Sequence, residues 1–254
     1  MLTHHWEELA NRLKHALGLS HAPIAITFSQ EAPAGVSFYQ GEVPDPSTDG
    51  RTGKVTAGCV FWIKSQERTF TTKADDHFNC SVGSVTHGFK TLHEVMSNED
   101  VVSLLDSAWV TPEEAMQLPV VKTRHHFITY GPVSQTPSDP DVILFLLNAY
   151  QGMVLHDAFG DMTIVGKPQC HIVPLAKEQN QIAMSTGCTL SRIRTGMSPD
   201  EMTCTIPASR FAEVVEKLEI RQQANARVAS YANADGRRFT HSQSSKGSSR
   251  TSEA

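Results

Sequence analysis

The stretch "DVILFLLN", from Asp141 to Asn148, is the most apolar run in the chain. An uninterrupted apolar run between polar ends is typical of a strand that is buried on both faces. The stretch that follows, "AYQGMVLHDAFG", carries Met153, Leu155 and Ala158 and indicates a helix that ends at Gly160. A buried strand followed directly by a helix predicts stacked layers of α and β structure.

The flanking sequence adds elements of both kinds. An amphipathic helix is predicted from Trp6 to Leu17 and a short buried strand from Ala22 to Phe28. Further strands are predicted at "ERTFTT", "HIVPLA", "QIAMST" and "EMTCTIP", and a long amphipathic helix from about Ser209 to Tyr231. The pattern therefore predicts an α+β fold of mixed sheets with flanking helices.

The sequence predicts two further helix starts and one long loop. Thr111 with Pro112, and Ser198 with Pro199, combine a capping residue with proline, and a glutamate follows each Ser or Thr at the third position. Both predict a helix start. The segment from Pro33 to Gly53 is rich in Pro, Gly and Asp and predicts a loop.

The chain divides into two halves and a tail. Residues 1–130 and 131–235 are predicted to be diverged pseudo-repeat halves of one globular unit, because each contains an apolar strand followed by a similar arrangement of cysteines. Residues 236–254 are polar and Ser-rich, and predict a disordered tail.

Composition excludes several classes of partner. The hydrophobic fraction is 39%, the formal charge is -5, and no sustained basic patch is present, which argues against nucleic acid as the main partner. Charges interrupt the apolar period of the N-terminal segment, so no signal peptide is predicted, and no apolar run approaches the roughly 20 residues of a membrane span. We therefore expect a cytoplasmic protein without membrane partners.

Four cysteines repeat in pairs. Cys59 and Cys80 bracket one strand-like stretch, Cys170 and Cys188 bracket another, and a glycine lies close to the second member of each pair. If the halves pack about a pseudo-twofold axis, the four thiols meet at one place, where they could hold an iron–sulfur cluster or another soft metal. Two alternatives remain open, namely a thiol redox pair and plain buried packing.

These motifs also carry a family resemblance. "PIAITF", "DHFNCSVGSVTHGF", "DVILFLLNAYQGMVLHDA", "GKPQCHIVP" and "STGCTLSRIRTGM" resemble the domain of unknown function family 169, from about Leu9 to Phe239. Cys59, Cys80, Cys170 and Cys188 lie on the resembling motifs, whereas Cys204 does not. The resemblance favours a metal or iron–sulfur site at the four cysteines, and it implies no activity.

Three residues near the cysteines are candidates for chemistry. His77 or His171 could donate a proton, and Arg192 could orient an anionic substrate if the protein is an enzyme, a question that the sequence leaves open. Arg192 or Arg194 could equally offset the negative charge of a cluster. The expected partner is a small-molecule ligand or a redox protein, and the rival function is a metal-free module that binds a small molecule between the halves.

Overall fold

The computed structural model describes residues 2–41, 58–77 and 80–247, with side chains described at 4–41, 58–77 and 80–237. Most of the loop predicted from Pro33 to Gly53 therefore lies outside the described residues, as do residues 248–254 of the predicted tail.

The fold is built on one seven-stranded mixed sheet. In the order in which they lie across the sheet, the strands are β2 (Phe70–Lys73), β3 (Phe127–Pro132), β1 (Ile24–Ser29), β4 (Val142–Leu147), β7 (Met202–Pro207), β6 (Ala183–Ser185) and β5 (Thr163–Val165). Neighbouring strands are antiparallel except β5 and β6. The predicted central strand is β4, which lies in the middle of the sheet and is buried along its whole length.

Helices cover both faces of this sheet. Those within the described ranges are α1 (Leu2–Leu17), α2 (Gly58–Lys64), α3 (Ser81–Thr86), α4 (Leu92–Val95), α5 (Glu99–Asp106), α6 (Pro112–Met116), α7 (Ala149–Ala158), α8 (Ile172–Gln179), α9 (Thr189–Thr195) and α10 (Phe211–Gly247). The α+β prediction is confirmed.

The two faces carry separate cores because successive side chains of a strand point to opposite sides. In β4, Ile143 and Phe145 join the core formed with α1, α7 and α10. Val142 and Leu144 join the other core, which α2 and α8 cover. The segments that carry the two cysteine pairs lie on this second face.

The central strands β1 and β4 pair symmetrically. Ala25 lies opposite Ile143, and the first residue of each strand lies opposite the third residue of the other, as Ile24 does opposite Leu144. A twofold axis through the Ala25–Ile143 pair would therefore exchange the two strands.

The flanking strands β3 and β7 follow the same symmetry. Each ends in a proline, Pro132 or Pro207, that lies opposite the first residue of its central strand. The next residue then donates its N–H to the carbonyl oxygen just before that central strand, from Val133 after β3 and from Ala208 after β7. The origin of the two halves by duplication stays a prediction.

Two predicted elements are wrong. "HIVPLA" forms the start of α8 because Ile172, Val173, Leu175 and Ala176 have helical spacing and are all buried, and Pro174 lies in the first turn, where its missing N–H costs nothing. Ser198 begins no helix: its N–H is bonded to the Glu201 carboxylate at 2.8 Å, but β7 begins directly afterwards at Met202.

The C-terminal helix differs from its prediction in length. It begins at Phe211 as expected and continues past Tyr231 to Gly247, into the segment predicted to be a tail. A single glycine, Gly236, costs a helix only about 1 kcal/mol, so it does not end this one. No helix in the ranges given above combines the length and the apolar character needed to cross a membrane.

Candidate functional site: a cavity lined by four cysteines

Cys59, Cys80, Cys170 and Cys188 line one cavity, which we call the cysteine cavity. It is a small cavity of about 30 Å³ and lies on the sheet face covered by α2 and α8. Its wall also includes Trp109, Pro168, Gln169, Leu190, Ser191 and Arg194. The four cysteines thus share one cavity wall, and their convergence on a cluster or metal stays a prediction.

The first half of the chain supplies two of these thiols at helix starts. Cys59 lies in the first turn of α2 and is 8% exposed. Cys80 is the N-cap of α3, and its sulfur accepts the N–H of Gly83 at 3.3 Å. Cys80 is the more accessible of the two, being only half-buried.

The second half supplies the other two from matching positions. Cys170 lies in a short 3-10 turn, Gln169–His171, that leads into α8. Cys188 is the N-cap of α9, just as Cys80 is the N-cap of α3. Both thiols are buried.

Each half also contacts the sulfurs of the other. Helix α2 packs against α9, and α3 packs against the turn that holds Cys170. Across these contacts Ser191 lies close enough to Cys59 to lower the pKa of that thiol, and Thr86 does the same for Cys170. The cavity therefore exists only when both halves are assembled.

Burial dominates the electrostatics of the thiols. It raises the pKa of Cys59 to about 11, with a further rise from the Cys80 sulfur and a decrease from Ser191. It also raises the pKa of Cys170 well above its ordinary value, and the Cys80 sulfur adds to that shift. Without a bound cation, these groups are neutral thiols at pH 7.

Arg194 is the one charged side chain in the described cavity wall. Burial lowers its pKa, but the sulfur of Cys80, through its charge and a hydrogen bond, gives a net rise. Outside the wall, the Lys167 ammonium lies 4.7 Å from the centre of the Trp109 ring.

The three predicted catalytic residues lie outside the cavity wall. His77 is fully buried in the turn after β2, where its Nε2 contacts the Thr72 hydroxyl at 3.2 Å. His171 follows Cys170, and burial lowers its pKa. Arg192 donates hydrogen bonds to three backbone carbonyls, those of Thr186, Ser198 and Glu201. Their catalytic roles stay predictions.

A buried histidine group lies beside the cavity, and the sequence patterns do not predict it. The rings of His77 and His87 lie 5.5 Å apart, and both are fully buried. His87 contacts the carbonyl oxygen of Gly83 at 2.8 Å, and burial lowers its pKa to about 4. His125, 8% exposed, completes the group. His125 is far from His77 and His87 along the chain, so no local sequence pattern could predict that the three rings lie together.

Among the residues with described side chains, no three His, Cys, Asp or Glu groups are placed to hold one metal ion. The four cysteines nevertheless line one cavity wall. Cys204 lies apart, fully buried in β7 within the core on the other face of the sheet.

Comparisons with known proteins give one match. The model of a family described as an uncharacterised ArCR, domain of unknown function family 169, matches residues 12–217. No curated protein and no solved structure matches the chain.

Proposed function

The chain belongs to the domain of unknown function family 169, and we propose that it binds an iron–sulfur cluster through Cys59, Cys80, Cys170 and Cys188 and serves in electron transfer. The observation that carries the proposal is the shared cavity, into which four free thiols from distant parts of the chain are brought together. Four cysteine thiolates are the usual ligands of both [2Fe–2S] and [4Fe–4S] clusters.

Four thiols in one cavity wall suit a cluster better than a single ion. A tetrahedral zinc site needs four sulfurs about 2.3 Å from one point, and the described part of the chain has no such group. A [4Fe–4S] cluster instead takes one thiolate at each iron, so its ligands lie around a larger object. Thiols in the wall of a cavity suit that geometry.

The surroundings of the thiols fit the same group. Hydrogen bonds to the sulfurs stabilise an anionic cluster, and here the Gly83 N–H donates to Cys80 at 3.3 Å. Ser191 and Thr86 also lower the pKa values of Cys59 and Cys170, which favours their thiolate forms. Arg194 supplies a positive charge. The apolar side chains of Trp109 and Leu190 help exclude water from the site.

A role in electron transfer follows from the ligand count. When four cysteines hold the cluster, every iron has a protein ligand and none is open to a substrate. The cluster then supplies one-electron chemistry, and the protein's residues bind it, shield it and set its potential. A redox protein is accordingly the expected partner, and we place the protein in the cytoplasm, where thiols stay reduced.

Two other functions are outcomes of the test. A thiol redox protein needs a reactive thiolate, whereas burial raises the pKa values of Cys59 and Cys170. A metal-free binding module would leave the four thiols as packing around a small molecule.

The test is reconstitution without oxygen, followed by iron and sulfide analysis. We expect wild type and Cys204→Ser to bind equal amounts of iron and sulfide, and Cys59→Ser, Cys80→Ser, Cys170→Ser and Cys188→Ser each to lose most of both. A colourless wild-type protein without iron would favour the binding module. A disulfide trapped between two cavity cysteines in that protein would favour the thiol redox role.

A further inference from the structure

Arg192 and Arg194 lie on the same helix and contact different parts of the molecule. On an α-helix, side chains two positions apart point in directions that differ by roughly 200° around the axis, so Arg192 and Arg194 leave α9 on opposite sides. Arg192 fixes the backbone around α9 through the carbonyls of Thr186, Ser198 and Glu201. Arg194 instead lines the cysteine cavity.

Arg194 connects the two halves at the cavity. Its helix belongs to the second half, and its side chain shares the cavity wall with Cys80 of the first half, whose sulfur raises the pKa of the guanidinium. Asp100 lies close enough to affect both Arg194 and Cys80 electrostatically. That carboxylate is itself held at the start of α3 by the backbone N–H and the hydroxyl of Ser81, at 3.0 and 2.7 Å.

We propose that Arg194 is the positioning residue that offsets the charge of the bound cluster and raises its reduction potential, an inference that rests on the proposed function. Reduction places one additional electron on the cluster, from an external donor, and no bond breaks. A fixed positive charge beside a ligating sulfur stabilises the more negative, reduced form. Other charges near the cavity are weaker candidates, because Asp100 has the opposite sign and Lys167 lies outside the wall.

The test is a redox titration of the reconstituted protein with dithionite and mediator dyes in the absence of oxygen. We expect Arg194→Gln to lower the equilibrium constant for reduction at least about tenfold, which is about 59 mV for a one-electron couple. Arg194→Lys should restore most of the potential, because it keeps the charge. Arg194→Met provides the same charge loss if the Gln variant does not load.

The matched control is Arg221→Gln, which removes one positive charge from α10 on the other face of the sheet, where Arg221 contacts only a backbone carbonyl among its described bonds. Its potential should equal that of wild type. Equal potentials in wild type and Arg194→Gln at equal iron content would overturn the inference about Arg194 alone. An equal decrease in the Gln and Lys variants would also overturn it, since charge would then be irrelevant. A wild type without iron would overturn the proposed function and this inference together.

Discussion

Gly187 shapes the turn that places Cys188 in the cavity wall. Its φ of +118° lies in a region that side-chain-bearing residues rarely adopt, and an added Cβ would lie 2.5 Å from the Arg192 guanidinium. That guanidinium cannot move away cheaply, because it donates to three carbonyls. The backbone here therefore requires glycine.

We predict that Gly187→Ala lowers the free energy of unfolding by about 2 kcal/mol, from the strained φ and the contact with Arg192. Urea unfolding of the metal-free protein measures the change. Gly160→Ala is the control, because an added Cβ there meets no atom within 4 Å, and it should change stability by less than about 0.5 kcal/mol. Equal stabilities for the two variants would contradict this reading of the turn.

His87 makes the stability of the fold depend on pH. Burial, with a smaller contribution from the nearby His125, lowers its pKa from 6.5 to about 4, although the hydrogen bond to the Gly83 carbonyl opposes the shift. Because the unfolded chain binds the proton more readily, the stabilising contribution is complete above about pH 6.5 and is lost as the pH falls toward 4.

We predict that protonation of His87 lowers the free energy of unfolding of the wild type by on the order of 3 kcal/mol between about pH 6.5 and pH 4. In His87→Phe this part of the pH dependence should be absent, leaving the contributions of His77 and His125. Denaturant unfolding at several pH values gives the slope. His156→Gln, on the exposed side of α7, serves as the control, and a His87→Phe slope as steep as the wild-type slope would exclude the assignment.

The two arginines show what a sequence can and cannot predict at this scale. Both follow Cys188 in the same motif, and residue type alone makes each a candidate to offset a cluster's charge. Which of them reaches the cavity depends on how α9 is rotated about its own axis, and the packing of α9 against α2 sets that rotation. The local sequence "SRIRTG" does not predict it.

Among the elements, α8 depends on an ion pair for its attachment to the sheet. The ammonium of Lys177, 9% exposed, lies 2.7 Å from one carboxylate oxygen of Asp141, just before β4. The other oxygen accepts the N–H of Phe28 at 2.7 Å, and the ammonium also lies 4.9 Å from the centre of the Phe28 ring. These contacts join α8 to both central strands.

We predict that Asp141→Asn lowers the free energy of unfolding by about 2–3 kcal/mol, because it leaves the Lys177 charge buried and unpaired. Adding Lys177→Met should recover at least half of that loss, since the unpaired charge is then gone. A double-mutant cycle, measured by urea unfolding, gives the coupling energy between Asp141 and Lys177. Losses that simply add in the double variant would show that the pair is not coupled.

The same element marks the limit of pattern reasoning. "HIVPLA" is short and apolar, and a short apolar run suits a strand or a buried helix equally well. In the fold α8 has room to form against β6 and β7, so tertiary packing decides. By contrast, β4 and α10 were predictable because each has one strong and unambiguous pattern.

For the molecule as a whole, the central feature is that two half-sheets bring remote thiols to one cavity. The repeated cysteine pairs predict that the four thiols meet, which stays a prediction; the symmetric β1–β4 pairing and the shared cavity wall support it. The wall residues Trp109 and Gln169 were not predictable, since they reach the cavity only through the way the chain folds back between strands.

Native mass spectrometry of the chain purified without oxygen measures cluster binding directly. We predict a single species heavier than the polypeptide by the mass of one iron–sulfur cluster, with that added mass absent from Cys170→Ser and retained in Cys204→Ser. A wild-type mass equal to that of the bare polypeptide, after anaerobic reconstitution with iron and sulfide, would contradict it.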